Sequence, residues 1–195
     1  FIYYQIPHQN ERYPRNDSVI RDDEYMRAYF KNINLFLDDV QKFIGDELFF
    51  VILEPDFFGY IQQREQLITR ATAVGPDGEF YDNVDSLEDT QGGTLQALVN
   101  RINREFDTRR REDNLNLLYG WQLNLWAKSG VAGHFGIIRE TDGVTGSISG
   151  TVQEIRNVAE AIGQYGIDAG ILTHNADIVS IDKFGLDAIG GPHPQ

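Results

Sequence analysis

The sequence predicts an α/β fold built on a parallel sheet, a (β/α) barrel of which this chain holds only part. Three observations predict it. Phe49-Phe50-Val51-Ile52-Leu53 is an unbroken apolar run, which is what a strand covered on both faces needs, and such strands belong mainly to parallel sheets. Strand-like and helix-like segments alternate along the chain, the pattern of right-handed crossovers between parallel strands. No Gly-rich phosphate loop follows any of the strands, which counts against the nucleotide-binding open sheets that are the alternative. Four such strands are about half of a closed barrel. Their two edges would then be met by the rest of a parent barrel or by a second copy. Residues 1–195 read as a single domain or partial barrel.

Taken in order, Phe1 to Ile6 is aromatic and β-branched and is closed by Pro7, so it is a predicted strand. A polar loop from His8 to Asp17 follows, at the same end of the sheet as Glu54 if the strands are parallel. From Asp23 to Ile44 the apolar residues Met26, Tyr29, Phe30, Ile33, Phe36, Leu37, Val40, Phe43 and Ile44 recur at helical spacing, and Gly45 is placed to end that helix in a left-handed conformation. After the central strand, a second helix is predicted over Phe58 to Ala73, then a turn at Gly75-Pro76-Asp77-Gly78. Glu79 to Gly93 is acid-rich with little periodicity and reads as an exposed excursion. Helix resumes near Thr94, with Leu95, Leu98, Val99, Ile102 and Phe106 on one face.

The third strand lies within Leu115 to Trp126, where Gly120 allows a bulge or a close approach. Lys128 to Gly146 is Gly-containing loop with His134 and Glu140, and a short element is expected at Phe135 to Ile138. Thr151 and Glu154 form a capping box ahead of a helix from Val152 to Tyr165. The last strand is Ile178 to Asp182, with Asp187 beyond it and a linker-like tail from Gly190. The chain opens on Phe1-Ile2-Tyr3-Tyr4 without Met, inside a strand, and so reads as part of a longer protein.

The charge balance bounds the partners. Seventeen Lys and Arg against thirty Asp and Glu give −13, which repels phosphate backbones and anionic membranes and favours a neutral substrate. Arg109-Arg110-Arg111 is locally basic, but it falls near a helix C-terminus, where positive charge complements the dipole. No apolar run is long enough to span a membrane. With no Cys there is neither a disulfide framework nor a thiolate metal site.

The chemistry is expected where the central strand ends. In a parallel α/β fold the C-terminal ends of the strands form the active face. Glu54 and Asp56 flank Pro55 there, and on a continuing strand residues two apart share a face, so the two acids are expected to project together. Asp182 repeats the pattern at the end of the last strand. Tyr60, Trp121, Gln122, Asn124 and Trp126 supply rings and amide groups, which suit a sugar: its C–H face stacks on an aromatic and its hydroxyls need paired partners.

On these residues the chain resembles the cellulases of glycoside hydrolase family six. Ile2-Tyr3-Tyr4-Gln5-Ile6-Pro7, a long helix, then Val51-Ile52-Leu53-Glu54-Pro55-Asp56 look like the opening of that TIM-type barrel, with its Tyr-x-x-Pro strand end and its Ile-Glu-Pro-Asp donor strand. The resemblance implies that Asp56 is the proton donor, that Glu54 is its neighbouring acid, and that Asn124 ends a sugar-contacting strand. It likewise implies that Ile181-Asp182 is the later strand ending in Asp, that the linkage inverts and that the protein is secreted. The family's Arg-Asp-Cys after the first Pro is His8-Gln9-Asn10 here, and its Ser-Leu after the donor is Phe57-Phe58.

The expected function is therefore hydrolysis of a polysaccharide such as a β-glucan, with no cofactor. Asp56 is the general acid, kept protonated by the like charge of Glu54 and an apolar wall of Phe57 or Trp121. Asp182 is the available base, which inversion would place about 6.5–9.5 Å away. A non-catalytic carbohydrate-binding barrel is the alternative. A divalent-metal hydrolase on Glu54, Asp56, His174 and Asp182 is the third reading, though no metal-ligand spacing joins them.

Overall fold

A computed structural model of the chain describes residues 1–6, 18–63, 71–75, 77, 79–81, 93–127 and 152–182. Its elements are β1 (Ile2–Tyr3), α1 (Asp23–Phe43), β2 (Phe49–Leu53), α2 (Phe57–Gln63), β3 (Ala71–Thr72), β4 (Gly93–Thr94), α3 (Leu95–Glu112), β5 (Leu117–Asn124), α4 (Val152–Ala169) and β6 (Ile178–Asp182). Strands β1, β2, β5 and β6 form one parallel sheet in that order. β3 and β4 form a separate antiparallel pair. The fold is thus α/β around a four-stranded parallel sheet.

Side-chain alternation divides the sheet into two unlike faces. Tyr3, Val51, Leu53, Tyr119 and Trp121 point to one face and are buried with Met26, Ile33 and Leu37 of α1, Phe57 and Ile61 of α2, and Leu98 and Ile102 of α3. α4 joins the same side through Val158 and Ile162, which pack with Leu123, and through Tyr165, whose ring meets Phe58 edge-on. The opposite face is partly open, with Ile2 of the edge strand β1 60% and Phe50 of the interior strand β2 47% exposed, whereas on the helix side the exposed residues are Val179 and Ile181 of the edge strand β6, at 42% and 62%. Helices on one face explain why Val51 is buried while Phe50, its neighbour, is not.

Local signals account for most boundaries. Asp22 caps α1 by accepting from the Tyr25 amide at 2.9 Å, and Gly45 follows it at φ 62°, the left-handed stop that glycine allows. Thr94 caps α3 by accepting from the Ala97 amide at 3.0 Å. β6 keeps its predicted bounds, whereas α4 runs one turn past Tyr165. Gly120 is the close approach its sequence context predicts: a Cβ there would stand 1.8 Å from the Ile178 carbonyl oxygen of β6.

Two expectations need correction. The second helix is described over Phe57–Gln63, and Ala71–Thr72, expected to belong to it, are strand; the Thr72 hydroxyl donates to the Thr94 carbonyl at 3.1 Å there. The excursion after Glu79 begins as ordered structure, because Phe80 pairs with Val74 across a bridge and Tyr81 donates to Glu79 at 2.7 Å. The polar loop His8 to Asp17, Pro76 and Gly78 of the turn, the loop with His134 and Glu140, the element Phe135 to Ile138, Thr151, Asp187 and the tail lie outside the described residues.

The basic run is structural. It occupies the last turn of α3, where Arg110 donates to Asp107 at 2.9 Å and Asp177 at 2.7 Å, Arg111 to Asp107 at 3.0 Å, and Arg109 to Asp38 at 2.6 Å and Asp113 at 2.7 Å. Asp177 immediately precedes β6, so this network ties the N-terminal end of the sheet, opposite the candidate rim.

Candidate functional site

The central strand ends in a turn that no continuing strand would make. Glu54 and Asp56 both have positive φ, 39° and 68°, a region that costs a residue with a Cβ about 1–2 kcal/mol. That turn overrides the two-residue alternation and sends the two acids to opposite flanks of β2. Glu54 turns toward β1, where its carboxylate accepts from the Gln5 amide at 3.0 Å and the Ile6 amide at 2.8 Å. Asp56 turns toward β5, where its Oδ1 accepts from Asn124 Nδ2 at 2.7 Å. The expected side-by-side projection of Glu54 and Asp56 is therefore corrected.

Glu54 is fully buried, and burial pushes its carboxyl up from 4.5 to about 7 against the backbone hydrogen bonds from Ile6 and Gln5 and the interaction with Tyr29, all of which lower it. The buried Tyr29 phenol is in turn pushed up, by burial first and then by the Glu54 charge beside it. A carboxyl so enclosed anchors the end of β1 and does not reach a substrate.

The other acids meet. Asn124, at the end of β5, pairs in register with Asp182 at the end of β6, and its Nδ2 also reaches Asp182 Oδ2 at 3.4 Å. Trp126 Nε1 donates to the same Oδ2 at 3.2 Å. The Trp126 ring lies 4.9 Å from Tyr60, tilted by 58°. Asp56, Tyr60, Trp126 and Asp182 are all half-buried, whereas Asn124 is 1% exposed and its Oδ1 has no hydrogen-bond partner among the described residues. The amide orientation is fixed by its neighbours, since turning it over would set an oxygen against two carboxylates.

Compared with protein families, curated proteins and solved structures, the chain finds no significant match. The reading of the rim rests on its own geometry.

Of the sequence-predicted residues, the structure brings Asp56, Asn124, Asp182, Trp126 and Tyr60 into one cluster. Gln122 lies one alternation before Asn124 on the same strand face, half-buried beside Ser180. Trp121 does not join them. It is fully buried on the helix side, with its ring 5.1 Å from Phe58 and its Nε1 donating to Asn103 at 2.7 Å. The indole expected to wall the site instead fills the core, and Phe57, 1% exposed, does the same. His174 precedes β6 at the far end of the sheet, where its carbonyl accepts from the Tyr119 hydroxyl. Glu54, Asp56, Asp182 and His174 thus do not assemble as ligands, and no group of three His, Cys, Asp or Glu suited to a metal occurs among the described residues.

Gly59 is the functional position that sequence reasoning missed. A Cβ there would stand 2.4 Å from Trp126 Cη2 and 2.9 Å from Asn124 Cγ, so glycine in the first turn of α2 is what lets the indole and the amide close on the rim. The available signal was a Gly inside a helical segment, which marks close approach.

Proposed function

We propose that the protein is a glycoside hydrolase acting on a neutral, β-linked polysaccharide such as a β-glucan, at the C-terminal rim of a partial (β/α) barrel. One observation carries this reading: carboxylates from the ends of two different strands, Asp56 and Asp182, are held by a single buried amide beside an indole and phenol pair. Glycosidic cleavage needs two carboxyl groups flanking one bond, and an aromatic surface beside them suits the apolar face of a sugar ring. The net charge of −13 fits a neutral substrate better than a phosphorylated one.

The barrel is supported by strand order and by the placement of helices. A doubly wound sheet reverses its order and carries helices on both faces. Among the described residues this sheet runs β1-β2-β5-β6 without reversal, with its helices on one face, as successive units of a barrel do.

Asp56 is the general acid in this reading and protonates the leaving oxygen. Its role is tested by Asp56→Asn. The left-handed φ of 68° is one that Asn adopts readily, and the Asn carbonyl can still accept from Asn124, so the variant removes the acidic proton and keeps that hydrogen bond. Reducing ends released from soluble β-glucan are expected to fall by about 10²–10⁴-fold, the range for loss of a general acid. Equal turnover by both proteins rules the assignment out, and binding of cello-oligosaccharide without any cleavage by the wild type favours a non-catalytic carbohydrate-binding barrel.

A further inference from the structure

We infer that this site cleaves with retention of anomeric configuration, with Asp182 as nucleophile and Asp56 as acid and then base. The inference rests on the hydrolase reading above and runs against the inverting course that the family resemblance implies. Its ground is a length. Asn124 Nδ2 reaches Asp56 Oδ1 at 2.7 Å and Asp182 Oδ2 at 3.4 Å. Two oxygens bonded to one nitrogen can be no further apart than those lengths laid end to end, about 6 Å, and less if the two amide hydrogens diverge normally; retaining pairs stand about 5–5.5 Å apart and inverting pairs about 6.5–9.5 Å. A pair so close leaves no room for a sugar carbon and an attacking water together, but it admits direct attack of a carboxylate on the anomeric carbon.

The surroundings also separate the two roles. Asp182 Oδ2 accepts from both Trp126 Nε1 and Asn124 Nδ2, two donors from different positions that fix the orientation of a nucleophilic carboxylate. The Asn124 Oδ1, buried and without a partner among the described residues, is a further sign that this rim is built for a group it does not itself supply.

In the first step an Asp182 oxygen bonds to the anomeric carbon as the glycosidic C–O bond breaks, and the Asp56 proton passes to the leaving oxygen. The products are a glycosyl ester on Asp182, the released sugar alcohol and an ionised Asp56. With Asp182 held in the ester, the ionised Asp56 is left to act as a base. In the second step Asp56 takes a proton from water as the water oxygen bonds to the anomeric carbon. The ester bond breaks, Asp182 recovers its charge, and Asp56 recovers its proton.

Proton NMR of fresh cello-oligosaccharide digests reads the outcome. The β anomer is expected to appear first, and a 2-deoxy-2-fluoro glycosyl fluoride is expected to raise the intact protein mass by one fluoroglycosyl unit that maps to Asp182. Asp182→Asn is expected to lower turnover on the order of a thousandfold and to abolish the adduct. The α anomer appearing first, or turnover without an adduct, overturns retention and leaves the hydrolase reading standing. No turnover of any β-glucan by the wild type removes both.

Discussion

Glu54 sits fully inside the protein with its carboxylate engaged by two backbone N–H groups, and its protonation is linked to folding. Burial raises its native pKa to about 7 from an ordinary 4.5, so the folded chain binds this proton more tightly than the unfolded one. Its contribution to stability is fully present below pH 4.5, falls as pH rises through the window up to about 7, and is constant beyond it. The full span is roughly 3 kcal/mol at 1.36 kcal/mol per pH unit. Glu54→Gln cannot titrate. The difference in urea unfolding free energy between wild type and Glu54→Gln is therefore expected to shift in favour of the variant by about that amount from pH 4.5 to 7.5; a constant difference across the window contradicts the assignment. This role was not legible from the Glu-Pro-Asp motif, because motif spacing assumes a continuing strand, whereas Glu54 at its left-handed turn is engaged by the Gln5 and Ile6 amides just past β1, far away in the chain.

The strands were legible where a local pattern sufficed and opaque where a distant partner decides. Phe49–Leu53 and Ile178–Asp182 are apolar, β-branched segments whose bounds follow from composition. α1 and α3 follow from their periodicity and caps. β3 and β4 pair two residues with two, too short to leave any periodic signal, and Trp121 and Trp126 look alike in sequence although one meets Asn103 in the core and the other Asp182 at the rim. Gly120 joins the two levels. Because a Cβ would fall 1.8 Å from the Ile178 carbonyl, Gly120→Ala has to push β6 off β5. We expect a loss of about 3 kcal/mol, at the upper end for overpacking, measured as a lower thermal midpoint. The same displacement draws Asp182 away from Asn124, so activity is expected to fall in protein that remains folded. A variant with wild-type stability would mean that the strands separate at little cost.

Across the whole molecule the two sheet faces carry the barrel proposal, and adjacent residues of one strand can test it. Val51 is buried against the helices and Phe50, on the other face, is 47% exposed. In a sheet that stays open, Val51→Ala loses buried methyl groups and costs about 1–3 kcal/mol, while Phe50→Ala removes a ring already half in water and costs less than it would from a core. In a closed barrel the uncovered face becomes the interior, and Phe50→Ala then costs about 3–5 kcal/mol, as for a core aromatic. The ordering of the two variants in a denaturant titration therefore reports on closure: the partial-barrel reading expects Phe50→Ala to be the milder change in this chain alone. Joining it to whatever completes the sheet is expected to reverse the order, because closure buries Phe50 and leaves Val51 as it was. If the milder ranking persists once the edges are met, the open face is not a barrel interior, and the sheet order β1-β2-β5-β6 has to be explained by another architecture.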